Sequence, residues 1–144
     1  MFEKILMPTD GSDVSLGAAE RAIELARLAG GTLLLVFVHE RYPYGGVGTT
    51  NTAGLHEHLA KGQRLAAEAF ERVRGLAEGK QVRIETAVLE GDEPAERIVE
   101  AARSAGVEQI VMASRGRTGA ARLLLGSVTS KVLELSGVPV LVVK

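Results

Sequence analysis

The sequence predicts an α/β fold, an open, doubly wound parallel sheet with helices on both faces. Apolar runs of strand length alternate with longer segments of helical period, in the order β-α-β-α-β-α-β-α-β. Most of the strand runs are continuously apolar, the pattern of strands buried on both faces. The length of 144 residues, 46% of them hydrophobic, suits one domain (1–144) that buries its core without a disulfide or metal staple. Right-handed crossovers leave few topologies for such a chain.

The first strand is KILMP at 4–8, stopped by Thr9-Asp10-Gly11. Ser12 reads as an N-cap, its hydroxyl able to accept from a free amide of the next turn. A helix over 13–29 follows from apolar Leu16, Ala19, Ile23, Ala26 and Leu28, and Gly30-Gly31 closes it. TLLLVFV at 32–38 is a continuous apolar strand, and 40–54, rich in Gly, Tyr, Pro and Thr, is a loop longer than the usual connection. A long helix over 55–77 turns Leu59, Leu65, Ala66, Phe70, Val73 and Leu76 inward. VRIETAV at 82–88 alternates, which suggests an edge strand with one wetter face. Asp92 then caps a helix that Pro94 opens and Gly106 ends. QIVMA at 109–113 is a strand, 114–125 a polar and basic loop, 127–135 a helix, and 140–143 the last strand after a turn at Gly137-Val138-Pro139.

Composition removes several functions. The absence of cysteine excludes thiol catalysis, zinc–cysteine sites and a disulfide framework. A net charge of −1 gives no global field for nucleic acid or an anionic membrane, and 3% aromatics without Trp offers no base-stacking platform. No apolar stretch approaches the roughly 20 residues of a membrane span. The N-terminal MFEKILMPTDGS lacks the pattern of a signal or transit peptide, so a soluble cytoplasmic protein is the expectation.

In doubly wound sheets, ligands sit beyond the carboxyl ends of the strands, where the winding reverses. The informative segment follows the fourth strand and runs from Ala113-Ser114-Arg115-Gly116-Arg117 through Gly119 and Arg122 to Gly126-Ser127. Its glycines admit close backbone approach, its arginines add positive charge, and Gly126-Ser127 opens a helix whose free amides favour an anion. These are the parts of a phosphate cradle. The alternative is an ordinary Gly-containing turn with solvated arginines. Neither the GxxxxGK(S/T) pattern nor a GxGxxG after the first strand is present.

Ala113-x2-Gly116-x9-Gly126-Ser127 is similar to the G-x2-G-x9-G-(S/T) nucleotide loop of the universal stress protein family, and ILMPTDGS and SGVPVLVVK resemble that family's termini. The resemblance covers essentially the whole chain. It implies a Rossmann-like sheet of order 3-2-1-4-5 that brings Asp10 beside the loop after the fourth strand. It also implies ATP, with Mg carried on its phosphates. Phosphate contacts would fall on Gly116, Gly126 and Ser127, with Val128 and Thr129 in the next turn and Arg115 and Arg117 beside them. Adenosine contacts would fall on Pro8, Thr9, Asp10, Phe37, Val38 and Met112. A homodimer through Val140–Val143 is implied as well, and an unpaired apolar terminal strand agrees with it. One position departs from the pattern: Ala113 stands where the motif has its first glycine. If that position requires a positive φ, alanine is strained there; otherwise one methyl is tolerated.

Other residues look chemical and have plainer readings. His56 and His58 are two apart on a helix and so point apart, as a solvated helix start would have them. His39 reads as a hydrogen-bonded rim histidine, Asp13 as a first-turn acid, and Glu90 and Asp92 as turn and cap. Tyr42 and Tyr44 in the long loop are compatible with covering an adenine or with simple exposure. No Ser/His/Asp set is legible. The expected function is that of an ATP-binding, stress-response regulatory protein, a ligand-dependent switch acting through the loops 40–54 and 114–125 and not a dedicated catalyst. The alternatives are a slow ATP hydrolase using Asp10 with Arg115 or Arg117, and a dimeric module without nucleotide if Ala113 disables the loop. A phospho-receiver domain is excluded, because Leu89 stands where it would need an aspartate after the third strand.

Overall fold

A computed structural model describes residues 2–42, 52–115 and 125–144. Gly116 and Arg117, with Gly119, Arg122, Tyr44 and most of the two expected switch loops, lie outside the described residues. The elements run β1 (Lys4–Pro8), α1 (Asp13–Ala29), β2 (Thr32–His39), α2 (Thr52–Ala77), β3 (Arg83–Glu90), α3 (Pro94–Ser104), β4 (Gln109–Ala113), α4 (Ser127–Leu135) and β5 (Val140–Val143). All four strand pairings are parallel, in the order β3-β2-β1-β4-β5. The architecture and order are those expected, and the alternating strand is indeed at an edge.

Two apolar layers hold the sheet. On one face Ile5, Met7, Leu33, Leu35 and Val111 pack under α1 and α2 through Ala19, Ile23, Ala66, Phe70 and Val73. On the other, Leu6, Leu34, Val36, Ile110 and Met112 pack under α3 and α4 through Ala95, Ile98, Ala102 and Val132. Successive strand residues point to opposite faces, so continuous apolar strands supply both layers at once. Small residues Ala18, Ala19, Ala22 and Ala26 bring α1 close to the sheet.

Local signals account for most helix ends. Ser12 caps α1 by accepting from Ser15 N, and Gly30 ends it in the left-handed region at φ 64°, donating to Ala26 O and Arg27 O. Three expectations need correction. Asp92 is not the cap of α3: Glu93 holds that position without a side-chain hydrogen bond, because Pro94 already occupies the first turn. The long helix begins at Thr52, so its first residues lie within the expected loop. Leu59 was expected inward and is 40% exposed, and Leu28, counted in the apolar period of α1, is 68% exposed. Leu28 sits in the last turn of α1, beside its Gly30 cap.

Gly31 joins α1 to β2 where the chain runs against β1, and Thr32 N donates to Glu3 O at 2.7 Å. A Cβ at Gly31 would collide with the Glu3 carbonyl, a backbone group that cannot step aside. Gly31→Ala should therefore destabilise the fold by about 2 kcal/mol, as overpacking against a fixed neighbour does, whereas Leu28→Ala should change it by less than about 0.5 kcal/mol. Urea unfolding midpoints of the two variants check this contrast.

Candidate functional site

The cleft begins where β1 and β4 part. Their register pairs Ile5 with Gln109 and Leu6 with Ile110. Thr9 N donates to Val36 O on β2, and Glu108 N donates to Lys4 O, so odd residues of β1 bond toward β2 and even ones toward β4. Pro8 therefore meets β4 with no N–H to give. Beyond this point the chain turns under α1 after β1, whereas after β4 it leads to α4 on the opposite face. A cleft of about 340 Å³ opens between them.

Its walls come from every strand end at the switch point. β1 and its turn supply Pro8, Thr9 and Asp10; β2 supplies Val36, Phe37 and Val38. β4 and the residues after it supply Met112, Ala113 and Arg115, and α4 supplies Val128 and Thr129. Of the residues expected at the site, these ten line it: Pro8, Thr9, Asp10, Phe37, Val38, Met112, Ala113, Arg115, Val128 and Thr129. Gly126 and Ser127 stand at the start of α4, directly before the lining residues Val128 and Thr129, and Ser127 is exposed. Ser15, Val36, Pro94 and Ile98 also line it and were not anticipated. Val36 had a legible signal, since it lies on the same strand face as Val38. Ser15, Pro94 and Ile98 belong to helices that lean over the opening, and which helix residues do so is set by packing.

The turn after β1 is tied down by its own side chains. Gly11 N donates to Thr9 Oγ1 at 3.2 Å, and Ser15 Oγ donates to Ser12 O at 2.8 Å. Because that donation uses the Ser15 proton, the 3.1 Å contact between Thr9 Oγ1 and Ser15 Oγ has Thr9 as donor. Ser12 N donates to Asp10 Oδ1 at 2.9 Å and fixes that carboxylate at the cleft's edge. On the β4 side, Thr129 Oγ1 donates to Ala113 O at 2.8 Å and Gly126 N to Ser114 O at 2.7 Å, so α4 begins directly against the strand end. The Gly126 cap makes no side-chain hydrogen bond to the first-turn amides of α4. The cleft is thus mostly apolar, with the Asp10 carboxylate, the Arg115 side chain and the first turn of α4 among its lining. That arrangement suits a molecule with a flat apolar part, a hydroxyl donor and an anionic tail.

Ala113 ends β4 in ordinary strand geometry, paired with Val143. Among the described non-glycine residues, only Phe2 has a positive φ, so the strained alternative for Ala113 does not hold. Its side chain belongs to the layer beneath α1, and the cleft stays open beside it. His39 is the hydrogen-bonded histidine expected. Its Nε2 lies 3.1 Å from His58 O, and His58 Nε2 lies 2.7 Å from Glu40 O. A carbonyl only accepts, so both rings carry their proton on Nε2. The two rings stack at 4.2 Å, so His58 is engaged with β2's end while His56 is exposed. Among the described residues, no group of three or more His, Cys, Asp or Glu side chains can hold a metal. Away from the cleft, the side-chain hydrogen bond from Arg27 holds the exposed Glu24 carboxyl below its ordinary range.

The universal stress protein family profile matches residues 1–144. The universal stress protein MJ0531 of Methanocaldococcus jannaschii is 40% identical over 144 residues, covering 100% of this chain and 83% of that protein. A solved universal stress protein from Lactobacillus plantarum, 21% identical, shares the fold with a TM-score of 0.83 over 99% of this chain and 98% of that one. A universal stress protein solved in complex with cAMP is 26% identical, with a TM-score of 0.69 over 99% of this chain and 96% of its own. With its sheet order, its switch-point cleft and a profile match along its full length, the chain belongs to the universal stress protein family.

Proposed function

We propose that the cleft binds an adenine nucleotide, ATP in the first instance, and that the protein acts as a ligand-dependent regulatory switch in a stress response and not as a dedicated catalyst. The observation that carries this reading is the combination, in one cleft, of apolar surfaces, a carboxylate and a cationic side chain. Val36, Val38, Ile98 and Met112 offer surfaces for a purine, and Asp10 offers an acceptor for a ribose hydroxyl. Arg115 and the uncapped start of α4 favour an anion. The related protein solved with cAMP lends support, since its ligand has the same three chemical parts. Asp10 is the one acid among the described lining residues and its Oδ1 already accepts from Ser12 N, which favours binding over a general-base role. A magnesium ion fits such a site when carried on the nucleotide's phosphates, because Mg²⁺ keeps most of its waters and needs only one or two carboxylates.

We also propose a homodimer through β5. This strand pairs with β4 on one side, and Leu141 is exposed on it, with Leu133 and Leu135 exposed on the neighbouring α4. An apolar edge strand of this kind is suited to pairing with its own copy about a two-fold axis.

Titration calorimetry of the purified protein with ATP and magnesium should give saturable binding of one nucleotide per chain. Asp10→Ala should weaken it about tenfold or more, the effect of losing a hydrogen bond to a charged acceptor. Failure of the unsubstituted protein to bind, together with no adenine nucleotide in mass spectra of the denatured, freshly purified protein, would remove the proposal. Sedimentation should find a dimer that Leu141→Lys shifts toward monomer, and a monomeric unsubstituted protein would remove the dimer.

A further inference from the structure

The turn that presents Asp10 is gripped from behind by a residue outside the cleft lining. Arg72 lies on α2 and its Nη1 donates to the carbonyl of Gly11, 61 residues earlier in the chain. That carbonyl and the Ser12 N–H belong to one planar peptide unit. Ser12 N–H is the group that donates to Asp10 Oδ1 at 2.9 Å. A single rigid plane is therefore held by a guanidinium on one side and aims a carboxylate on the other. Gly11 itself stands at φ 80°, and a Cβ there would lie 3.3 Å from the Cβ of Ala69, nearly one turn before Arg72 on the same helix. The helix thus meets this turn twice, once by packing and once by hydrogen bond.

We infer that Arg72 is a positioning residue of the nucleotide site, acting on the ligand through the Gly11–Ser12 peptide and the Asp10 carboxylate. The inference rests on the reading of the cleft as an adenine-nucleotide site. A cationic donor on the carbonyl polarises the peptide, so its N–H becomes a better donor to Asp10. Holding the plane also removes freedom that the turn would otherwise lose on binding, which is the ordinary gain from preorganisation. The second bond, from Arg72 Nη2 to Asp13 Oδ1 at 2.7 Å, contributes little, because the Asp13 side chain is 93% exposed. The carbonyl is the contact that matters.

A double-mutant cycle read by ATP–magnesium titration separates this role from a general structural one. Arg72→Ala should weaken ATP binding about fivefold, and the same change in an Asp10→Ala background should weaken it less than about twofold. Arg72→Lys, with one donor left for the carbonyl, should recover part of the loss, and Asp13→Ala should stay within about twofold of the unsubstituted protein. Without nucleotide, hydrogen exchange at the Ser12 amide should quicken in Arg72→Ala. Unfolding midpoints recorded alongside confirm that each variant is folded; Arg72 is 45% exposed, so the core does not depend on it. Equal losses in both backgrounds, or unchanged ATP binding in Arg72→Ala, would overturn the inference alone. No ATP binding by the unsubstituted protein would overturn the reading beneath it and the inference together.

Discussion

A missing hydrogen-bond donor shapes the end of the sheet where the cleft opens. Pro8 stands at the point in β1 where the next bond to β4 would form, and proline has no N–H to make it. The neighbouring Thr9 amide still reaches Val36 on β2, so β1 stays bonded to one side and lets go on the other. The parting coincides with the reversal of winding: α1 and α2 cover one face of the sheet, and α3 and α4 the other. Local chemistry and topology open the same gap, and the cleft needs no special loop to exist.

Once opened, the gap is kept in shape by short polar links. The Gly11–Thr9–Ser15–Ser12 chain closes the first turn on itself, and Thr129 and Gly126 fasten α4 to the end of β4. Thr9, Ser15 and Thr129 are buried, so each hydroxyl replaces water with a protein partner, and no described buried side-chain polar atom lacks one. Ala113 fits here without strain because its place is a strand end with a paired partner, Val143. The glycine usual at that motif position answers no backbone requirement visible in this chain. Its methyl packs in the core beneath α1.

Much of this was legible in the residues. Strands such as 32–38 announce themselves because burial on both faces demands continuous apolar runs, and 82–88 betrays its edge position by alternating. Caps were legible where a side chain acts on its own turn, as Ser12 does, and misread where two candidates adjoin, as Asp92 and Glu93 do. The strand-end residues that line the cleft came from the family resemblance, carried over position by position. Ser15, Pro94 and Ile98 did not, because a sequence fixes which face of a helix is apolar but not which of its turns overhangs an opening between strands. The stacking of His58 on His39 was hidden for the same reason: the two lie 19 residues apart and meet only because α2 crosses the end of β2.

That crossing gives the 26-residue α2 a larger part than its distance from the cleft suggests. Gly62 leaves room for the His39 ring at the end of β2, and Ala69 and Arg72 bear on Gly11 at the end of β1. One rigid helix therefore braces both strand ends that face the proposed nucleoside. The β4 side of the cleft is braced separately, by α4 against β4. The two braces lie on different faces of the sheet and meet at the place where β1 and β4 have stopped pairing. On the nucleotide reading proposed above, a ligand in the cleft would touch residues held by both braces, Asp10 on the α2 side and Thr129 on the α4 side.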